Sequence, residues 1–178
     1  MKNAKIVFDA RRKGICLDIG SGGKSVIESA KTCDFGPSDY QGDYMGFEFS
    51  EPFDSIWCSH CLEHQRNPGR FLEKIRFDVN PGGLVCIVVP PWRTKLVGGH
   101  LHLWSEGMLI YNMILAGFDC SEASIGVYGY NIAVIVERKD ADLPDGLFMD
   151  VGDLERLAHF FPVPVHQSCS GNFGDVRW

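Results

Sequence analysis

The segment CSHCLEH, residues 58–64, places two cysteines and two histidines close together in the chain. Cys58 and Cys61 form a CxxC pair, and His60 and His64 form an HxxxH pair. Thiolates and imidazoles are zinc ligands, and a CxxC pair at the start of a helix can also exchange disulfides. The segment is therefore a candidate metal site, a candidate redox site, or a turn with another purpose.

The spacing of these four residues argues against zinc. A structural zinc site usually joins two ligand pairs that are separated by a loop, and the sequence has no second CxxC or HxxxH pair. We therefore expect no metal. Redox chemistry is a weaker alternative, because Leu62 and Glu63 fit a different strand-to-helix pattern.

A glycine-rich segment, LDIGSGG at residues 17–23, is a second candidate for chemistry. An apolar run that contains Asp18 stops at Gly20, Ser21 and Gly22, as a buried strand does when it enters a tight turn. Glycines let a backbone turn sharply and approach a ligand closely. Taken alone, the segment is as consistent with a simple turn as with a binding loop.

Two further acidic residues follow in order along the chain. Asp34 ends the next predicted strand, where a carboxylate can accept both hydroxyl protons of a ribose, and Asp43 comes one strand later. Each residue alone is equally consistent with a solvated turn. Together with residues 58–64 at the end of a third strand, the ordered set indicates one ligand-binding edge.

Apolar runs and turn residues predict the elements that must position these side chains. Strands are predicted over residues 15–20, 30–35, 52–59 and 84–90. Helices are predicted over about 67–78, with Pro68 in the first turn, over about 106–116, between Ser105 and Gly117, and over 150–160. Residues 118–128 and 131–138 are predicted to form an antiparallel hairpin around Gly129.

This alternation predicts an α/β fold with a mostly parallel twisted sheet and an antiparallel C-terminal hairpin at its edge. Ligands bind such sheets at the carboxyl ends of the strands. We expect one domain over residues 1–139 and an extension over 140–178 that packs on it.

Composition narrows the possible partners. The chain of 178 residues is 45% hydrophobic, with a net charge of −6 and a pI near 5.4. It has no Lys/Arg-rich run, no signal-like N-terminus and no apolar run long enough for a membrane. Its seven cysteines are an odd number and several lie in apolar runs. We expect a cytoplasmic protein without nucleic acid or membrane partners, and the sequence leaves a homo-oligomer open.

At this point the sequence resembles the class I S-adenosylmethionine-dependent methyltransferases, particularly their type 11-like branch, over about residues 15–138. The glycine-rich segment, CDF at 33–35 and GD at 42–43 carry part of the resemblance. The most specific part is the strand, S-x-x-LEH turn, helix, PGG and strand order over 53–90. The resemblance implies a Rossmann-like fold, S-adenosylmethionine as cofactor, and methyl transfer to a small-molecule or sugar-like acceptor.

The same resemblance implies roles for individual residues. Asp18 and the backbone of the glycine-rich loop would line the methionine part of the cofactor, and Asp34 would hold the ribose hydroxyls. Asp43 and Tyr44 would border the adenine, and the end of the third strand would lie near the sulfonium. The cofactor-binding residues so implied are Asp18, Gly20, Ser21, Gly22, Asp34, Asp43, Tyr44, Cys58 and Ser59.

Two histidines are candidate catalytic bases for an acceptor that must lose a proton. His60 follows the third strand, and His100 begins the HLHLW segment that precedes a helix on the substrate side in relatives. For each of them, a packing or capping role is the more common explanation of a single histidine.

The sequence departs from the family pattern in the first βαβ unit. Lys24 stands where the family has its third glycine, the spacing between Gly20 and Asp34 is too short for a full helix, and a long helix before Ile15 is missing. We therefore expect a fold shortened at its N-terminus. These departures favour an alternative, a non-catalytic binding or interaction module. A nicotinamide oxidoreductase is the third possibility, although its G-x-G-x-x-G fingerprint would need glycine where Ser25 stands.

Overall fold

A computed structural model describes residues 3–165 of the chain, which form one seven-stranded sheet with helices on both faces. The strands are β1 (Cys16–Ile19), β2 (Lys31–Asp34), β3 (Tyr40–Gln41), β4 (Phe53–Ser59), β5 (Val79–Val89), β6 (Ser124–Tyr128) and β7 (Asn131–Glu137). The α-helices are α1 (Ala4–Arg11), α2 (Pro68–Asp78), α3 (Glu106–Leu115) and α4 (Val151–Arg156). Single 3₁₀ turns cover Tyr44–Gly46, Leu62–His64 and Ala158–Phe160.

The order of the strands in the sheet is β3-β2-β1-β4-β5-β7-β6. The first five strands of that order are parallel to one another, whereas β7 is antiparallel to both β5 and β6. The predicted α/β fold, with a mostly parallel sheet and an antiparallel C-terminal hairpin, is therefore confirmed.

The residues of the central strands are buried on both faces of the sheet. In β5, Val85 and Ile87 pack on the larger core cluster, whereas Cys86 and Val88 belong to a smaller cluster on the opposite face. Burial on both faces explains why this strand is a continuous apolar run in the sequence instead of an alternating pattern.

The larger cluster lies under α2 and α3, and local sequence sets where these two helices begin. The Asn67 side chain accepts a hydrogen bond from the Arg70 amide and Pro68 occupies the first turn of α2. The Ser105 side chain accepts from the Met108 amide at the start of α3. Both are N-caps that satisfy amides left without a partner at a helix start.

The smaller cluster is covered by α1, a helix that the sequence analysis did not predict. Ala4 and Phe8 are its buried residues, and the Phe8 ring meets the Trp57 ring edge-on with centroids 5.3 Å apart. The helix escapes notice because its charged residues leave few apolar positions at helical spacing. Among residues 3–165, no other helix contributes a buried residue to this smaller cluster.

The connection between β1 and β2 holds no helix, since residues 20–30 form only turns and bends. The connection between β2 and β3 is a short loop as well. The expected shortening of the N-terminal half is therefore present, and it goes further than a reduced helix. Ile27, which is fully buried, is the main residue of the first connection that packs on the smaller cluster.

Two predicted boundaries were wrong. The NPGG segment does not precede β5 but lies within it, because the strand begins at Val79 and its pairing with β4 is irregular between Phe53 and Ser55. A Cβ on Gly83 would lie 2.7–2.8 Å from Val79 Cγ2 and the Asp54 carbonyl oxygen, so the irregular segment has room only for glycine. The hairpin begins at Ser124, since residues 118–123 are not a strand.

The described part of the C-terminal segment packs against the larger cluster. Leu157, Phe160, Phe161 and Val165 are buried there. Residues 166–178, which include His166 and Cys169, lie outside the described residues. Within residues 3–165, none of the helices combines the length and apolar character that crossing a bilayer requires.

A buried polar cluster joins the sheet edge to α2. The Tyr44 hydroxyl donates a 2.6 Å hydrogen bond to Asp78 Oδ2, and Lys74 Nζ lies 2.9 Å from the same oxygen. Asp78 and Tyr44 are 3% and 4% exposed. Burial and the Asp78 charge raise the pKa of Tyr44 well above its ordinary value, so the hydroxyl remains a donor at neutral pH.

We expect Tyr44→Phe to lower the free energy of unfolding by about 1–3 kcal/mol, since a buried carboxylate loses one of its two partners. Urea unfolding followed by circular dichroism measures this change. Tyr40→Phe is the matched control, because the Tyr40 hydroxyl makes no hydrogen bond within residues 3–165. Equal effects of the two substitutions would contradict a stabilising role for the Tyr44 hydroxyl.

Candidate ligand-binding site

The carboxyl ends of β1, β2 and β4 lie side by side in the sheet. Ile19 at the end of β1 pairs with Cys33 on one side and with Cys58 on the other. The residues that follow these strands therefore meet at one rim. This rim brings together the glycine-rich loop, Asp34 and the 58–64 segment, as expected from the sequence.

The glycine-rich loop is held by hydrogen bonds to β2. The Gly20 amide donates to the Cys33 carbonyl at 2.8 Å, and the Gly22 amide donates to Asp34 Oδ2 at 2.8 Å. Gly20 and Gly22 have φ values of +74° and +63°, in the left-handed region where glycine is favoured. Asp34 Oδ1 also accepts from the Gly36 amide at 2.9 Å. One carboxylate thus holds two loops at the rim.

Asp18 faces inward from the rim. It is 3% exposed, and its Oδ2 accepts a 2.6 Å hydrogen bond from the Ser25 hydroxyl. Burial raises the pKa of Asp18 from 3.8 to about 6, while the hydrogen bonds from Ser25 and the Val26 backbone oppose that rise. Asp18 therefore anchors Ser25, which follows the glycine-rich loop, to β1.

Ser21 provides a polar atom that has no partner. Its Oγ is buried and makes no hydrogen bond with any described residue. A buried hydroxyl without a partner is unfavourable unless a ligand or a water supplies one. At the neighbouring Gly22, a Cβ would have no described atom within 4 Å. The loop therefore has both an unused hydrogen-bonding group and open space beside it.

Asp43 and Tyr44 point in different directions. Asp43 is exposed at the rim and its side chain accepts a hydrogen bond from the Met45 amide. Tyr44 is buried and its hydroxyl is committed to Asp78. A ligand at the rim can therefore reach the Asp43 carboxylate, but it meets only the ring of Tyr44.

A small cleft lies between the glycine-rich loop and the 58–64 segment. Its volume is about 60 Å³, and its lining includes Gly20, Asp34, Asp43, Tyr44 and Cys61. The Cys61 side chain closes it from one side, because a Cβ built on Gly20 would lie 3.0 Å from Cys61 Cβ and 3.3 Å from its Sγ. Drug-sized ligands usually occupy about 300–1,000 Å³, so in this structure the cleft is closed to a ligand of that size.

Cys58 and Ser59 end β4 beside this cleft. Cys58 is fully buried, and a hydrogen bond with Cys61 together with burial raises the pKa of the Cys58 thiol well above its ordinary value. The thiol is therefore neutral and a poor nucleophile. Ser59 is half-buried. The described cysteines are free, and they are Cys16, Cys33, Cys58, Cys61, Cys86 and Cys120.

His60 adopts an unusual backbone conformation, with φ of +54°. Its Nε2 lies 2.8 Å from Asn131 Oδ1, and its Nδ1 lies 3.3 Å from Glu63 Oε1. The nearby Glu63 carboxylate raises the pKa of His60 above its ordinary value. Both ring nitrogens thus face a partner. Non-glycine residues with positive φ are concentrated at functional sites.

His100 lies beside Glu63 and His64, although it comes from a distant part of the sequence. Its ring packs edge-on against the His64 ring, with centroids 5.0 Å apart. Both histidines stand beside Glu63, which the sequence analysis treated only as part of a turn motif. Glu63 is completely buried. No periodic pattern in the sequence indicates this burial, because the residue lies in a single 3₁₀ turn.

A second, wider groove lies next to His60. Its volume is about 440 Å³, and Arg93, Thr94, Lys95, Val97 and Tyr130 line it. The Tyr130 ring stacks on His60 with centroids 6.4 Å apart. The Arg93 guanidinium also lies over the Tyr130 ring, 5.2 Å from the ring centroid. The groove therefore combines an aromatic surface with two positive charges.

Residues 3–123 match the model of a protein family described as a methyltransferase domain. The chain belongs to this family. The match covers the first five strands, the glycine-rich loop and the 58–64 segment, so it includes the whole rim. The resemblance to the class I methyltransferases that the sequence analysis noted is therefore confirmed.

Solved structures confirm the methyltransferase fold. A 1,6-didemethyltoxoflavin-N1-methyltransferase from Burkholderia thailandensis, with bound 1,6-didemethyltoxoflavin and S-adenosylhomocysteine, is 17% identical over 78% of this chain and 77% of its own, with a TM-score of 0.62. An amino pentose methyltransferase from Micromonospora echinaspora, with bound S-adenosylmethionine, is 11% identical over 75% and 87%, with a TM-score of 0.59.

The mitomycin 7-O-methyltransferase is also similar, with 13% identity over 74% of this chain and a TM-score of 0.57. This chain spans only 50% of that protein's length. At these identities the similarity concerns the fold alone. A comparison with curated proteins finds no match in sequence.

We expect the raised pKa of Asp18 to make the protein less stable as pH rises. The folded state binds the Asp18 proton up to about pH 6 and the unfolded state only to about 3.8, so unfolding becomes easier between these values. At about 1.4 kcal/mol per pKa unit, the loss approaches ~3 kcal/mol. Asp18→Asn should remove this dependence while keeping an acceptor for Ser25.

Urea unfolding of both proteins from pH 4 to pH 7.5 measures the difference. Asp39→Asn is the control, because hydrogen bonds from Thr32 lower the pKa of Asp39 below 3.8, so its pH profile should run parallel to that of the wild type over this range. Parallel pH profiles of the wild type and Asp18→Asn would contradict the assignment.

Proposed function

We propose that the protein transfers a methyl group from S-adenosylmethionine to a small-molecule or sugar-like acceptor. The observation that carries this proposal is the glycine-rich loop of a methyltransferase domain, which hydrogen bonds to the carboxylate at the end of β2. Solved structures of similar fold that contain S-adenosylmethionine or S-adenosylhomocysteine support the choice of cofactor.

The residues at the rim have the donor and acceptor groups that this cofactor requires. The unpartnered Ser21 hydroxyl and the backbone of Gly20 and Gly22 would bind its methionine part. Asp34 keeps acceptor capacity for ribose hydroxyls, because each carboxylate oxygen accepts only one amide. Asp43 would border the adenine. When bound, the cofactor supplies an activated methyl group on a positive sulfonium.

The cofactor requires more room than the closed cleft provides. A volume of about 60 Å³ cannot hold a nucleoside with an amino acid attached. Binding therefore needs Cys61 to move away from Gly20. Rotation about the Cα–Cβ bond of Cys61 would move its sulfur, while the backbone of residues 58–64 keeps its hydrogen bonds to the loop before α3. Cys58 and Ser59 would then border the sulfonium.

The groove formed by Arg93, Thr94, Lys95, Val97 and Tyr130 is our candidate for the acceptor site. Its aromatic surface suits a flat or ring-shaped molecule. Its two cationic side chains favour an acceptor that carries a carboxylate or a phosphate. Two proteins of similar fold, described as an amino pentose methyltransferase and as a 1,6-didemethyltoxoflavin-N1-methyltransferase, support an acceptor of this size.

The base that receives the acceptor proton remains a prediction. His60 is the weaker candidate, because both of its ring nitrogens face partners. His100 is half-buried beside His64 and is the better candidate. Methyl transfer from a sulfonium relies mainly on positioning, and proton removal matters most for a hydroxyl acceptor.

A second candidate function is a non-catalytic binding or interaction module. The contact between Cys61 and Gly20 favours it, because the Cys61 side chain occupies the space next to Gly20, although the space next to Gly22 is open. The missing helix between β1 and β2 favours it too. Binding of S-adenosylmethionine without turnover, across a panel of small acids and amino sugars, would support this alternative.

The remaining expectations stay proposals. We infer a cytoplasmic protein from the free cysteines of the described residues. We also infer a domain over residues 1–139 with an extension over 140–178, which the packing of Leu157 and Phe160 on the core supports. A homo-oligomer is an open proposal, and nucleic acid and membrane partners remain disfavoured by the acidic charge.

We expect Asp34→Ala to weaken S-adenosylmethionine binding by roughly tenfold or more, as the loss of about 1.4 kcal/mol would. Asp43→Ala should have a smaller effect, because Asp43 is exposed and makes only a local cap. Isothermal titration calorimetry with S-adenosylmethionine and S-adenosylhomocysteine measures both. No binding to the wild type at millimolar ligand would refute the proposed function.

We expect Cys61→Ala to strengthen cofactor binding by about three- to tenfold, because a smaller side chain favours the open cleft. Cys86→Ala is the matched control, since Cys86 is buried in the other cluster. Calorimetry with S-adenosylmethionine and a radiolabelled methyl-transfer assay read out binding and turnover separately. Unchanged affinity would show that Cys61 does not limit entry.

A further inference from the structure

Glu63 and the three histidines around it form a cluster that methyl transfer does not require. We call it the histidine–glutamate cluster, and its members are His60, Glu63, His64 and His100. One ligand atom each from Glu63, His64 and His100 lie within 4.8 Å of one another. The cluster lies at the carboxyl rim of the sheet, just after β4.

The Glu63 carboxylate is an unusual group in this cluster. It is completely buried, and neither of its oxygens has a hydrogen-bond partner among residues 3–165. A buried carboxylate is strongly unfavourable unless it is paired, hydrogen-bonded or bound to a metal. His60 Nδ1 lies 3.3 Å from Glu63 Oε1, and His64 Nε2 lies 3.9 Å from the same oxygen.

Backbone contacts bring the distant His100 to this carboxylate. The Leu101 and His102 amides both donate to the Glu63 carbonyl, at 2.8 and 3.3 Å. At Gly99, a Cβ would lie 3.1 Å from His64 Nδ1, so the chain passes very close to the histidine ring there. The 58–64 segment and the loop before α3 are therefore held together independently of any ligand.

The hydrogen bond between His64 and the Gly99 carbonyl determines which ring nitrogen of His64 carries the proton. His64 Nδ1 lies 2.7 Å from the Gly99 carbonyl oxygen, so Nδ1 carries the hydrogen. In a neutral ring Nε2 then carries a lone pair and no proton, and Nε2 lies 3.9 Å from Glu63 Oε1. Histidines that bind metals commonly donate their other N–H to a carbonyl or carboxylate in this way.

His60 has a comparable arrangement, because its other ring nitrogen also bonds to an acceptor outside the carboxylate. The Asn131 amide nitrogen donates to the Tyr128 carbonyl, so Asn131 Oδ1 is the atom that accepts from His60 Nε2. A neutral His60 therefore also turns a lone pair, on Nδ1, toward Glu63 Oε1. With both rings neutral, two nitrogen lone pairs and a carboxylate face one another, an arrangement that a metal cation bound between them would stabilise.

We propose that Glu63, His64 and His100 bind a divalent transition-metal ion, with zinc as the ion that fits best, and that His60 lies beside the site. Two imidazoles and one carboxylate are a typical ligand set of zinc sites that keep a position open for water or substrate. Metal–ligand distances near 2.0–2.2 Å would require the ligand atoms to move together slightly.

This proposal departs from the sequence-based expectation of no metal. That expectation assumed that a second ligand pair must be visible as a sequence motif. The structure instead supplies the additional ligand from His100, and neither cysteine of the CxxC pair takes part. Coordination by His100 and a role of His100 as a free base exclude each other, so metal binding would also decide the base assignment.

The test is a zinc titration of the full chain after treatment with a chelator, by calorimetry and by competition with a chromophoric chelator. We expect one zinc per chain with submicromolar affinity, and a zinc-dependent rise in Tm. His64→Ala and His100→Ala should each weaken zinc binding at least tenfold. Neither substitution should change Tm without zinc by more than a few degrees, so that loss of binding is not loss of folding.

His102→Ala is the matched control, because His102 lies in the same loop but binds the Gln65 carbonyl outside the cluster. It should leave zinc affinity unchanged. Cobalt(II) reports the ligands, since a nitrogen and oxygen site lacks the strong near-ultraviolet thiolate absorption. Such absorption, no binding of zinc to the wild type, or equal affinities of all variants would each overturn the proposal. None of these readouts requires S-adenosylmethionine, so the proposal can fail separately from methyl transfer.

Discussion

The hydrogen bonds between the Asp34 carboxylate and the Gly22 and Gly36 amides determine the shape of the whole rim. In most α/β folds a helix fixes the loop after the first strand, but residues 20–30 of this chain form only turns. The carboxylate at the end of β2 replaces that support by holding two loops at once. Charged acceptors make stronger hydrogen bonds than neutral ones. The position of Ser21, and therefore of any ligand there, depends on this one side chain.

The sequence predicted the parts of the fold that local patterns encode. Apolar runs predicted β1, β4 and β5, and Pro68 and Ser105 predicted where α2 and α3 begin. The burial of Glu63 and the inward direction of Tyr44 could not be predicted, since both depend on contacts with distant residues. Asp78 draws the Tyr44 hydroxyl inward, and the loop of His100 covers Glu63. The residues of the rim were predicted, but the direction of each side chain was not.

The two faces of the sheet are unequally covered. One face has α2, α3 and the C-terminal segment, whereas the described chain covers the other with α1 and the loop that contains Ile27. The Phe8–Trp57 contact and Ile27 therefore supply much of the apolar burial on the thinner face. The strands at the N-terminal edge of the sheet, β2 and β3, are short as well, with four and two residues. The methyltransferase fold thus keeps its strand order and its rim even where its helical layer is reduced.

The packing of Cys61 on Gly20 also has a consequence for measured affinities. If the binding-competent form is a minor population, the apparent dissociation constant equals the intrinsic one divided by the fraction of molecules in that form. Each 1.4 kcal/mol that favours the closed form then makes the observed affinity about tenfold weaker without changing a single ligand contact. A weak measured affinity would therefore reflect the fraction of molecules in which Cys61 packs on Gly20 as much as the contacts between the protein and the ligand. Evolution could adjust ligand sensitivity at position 61 alone.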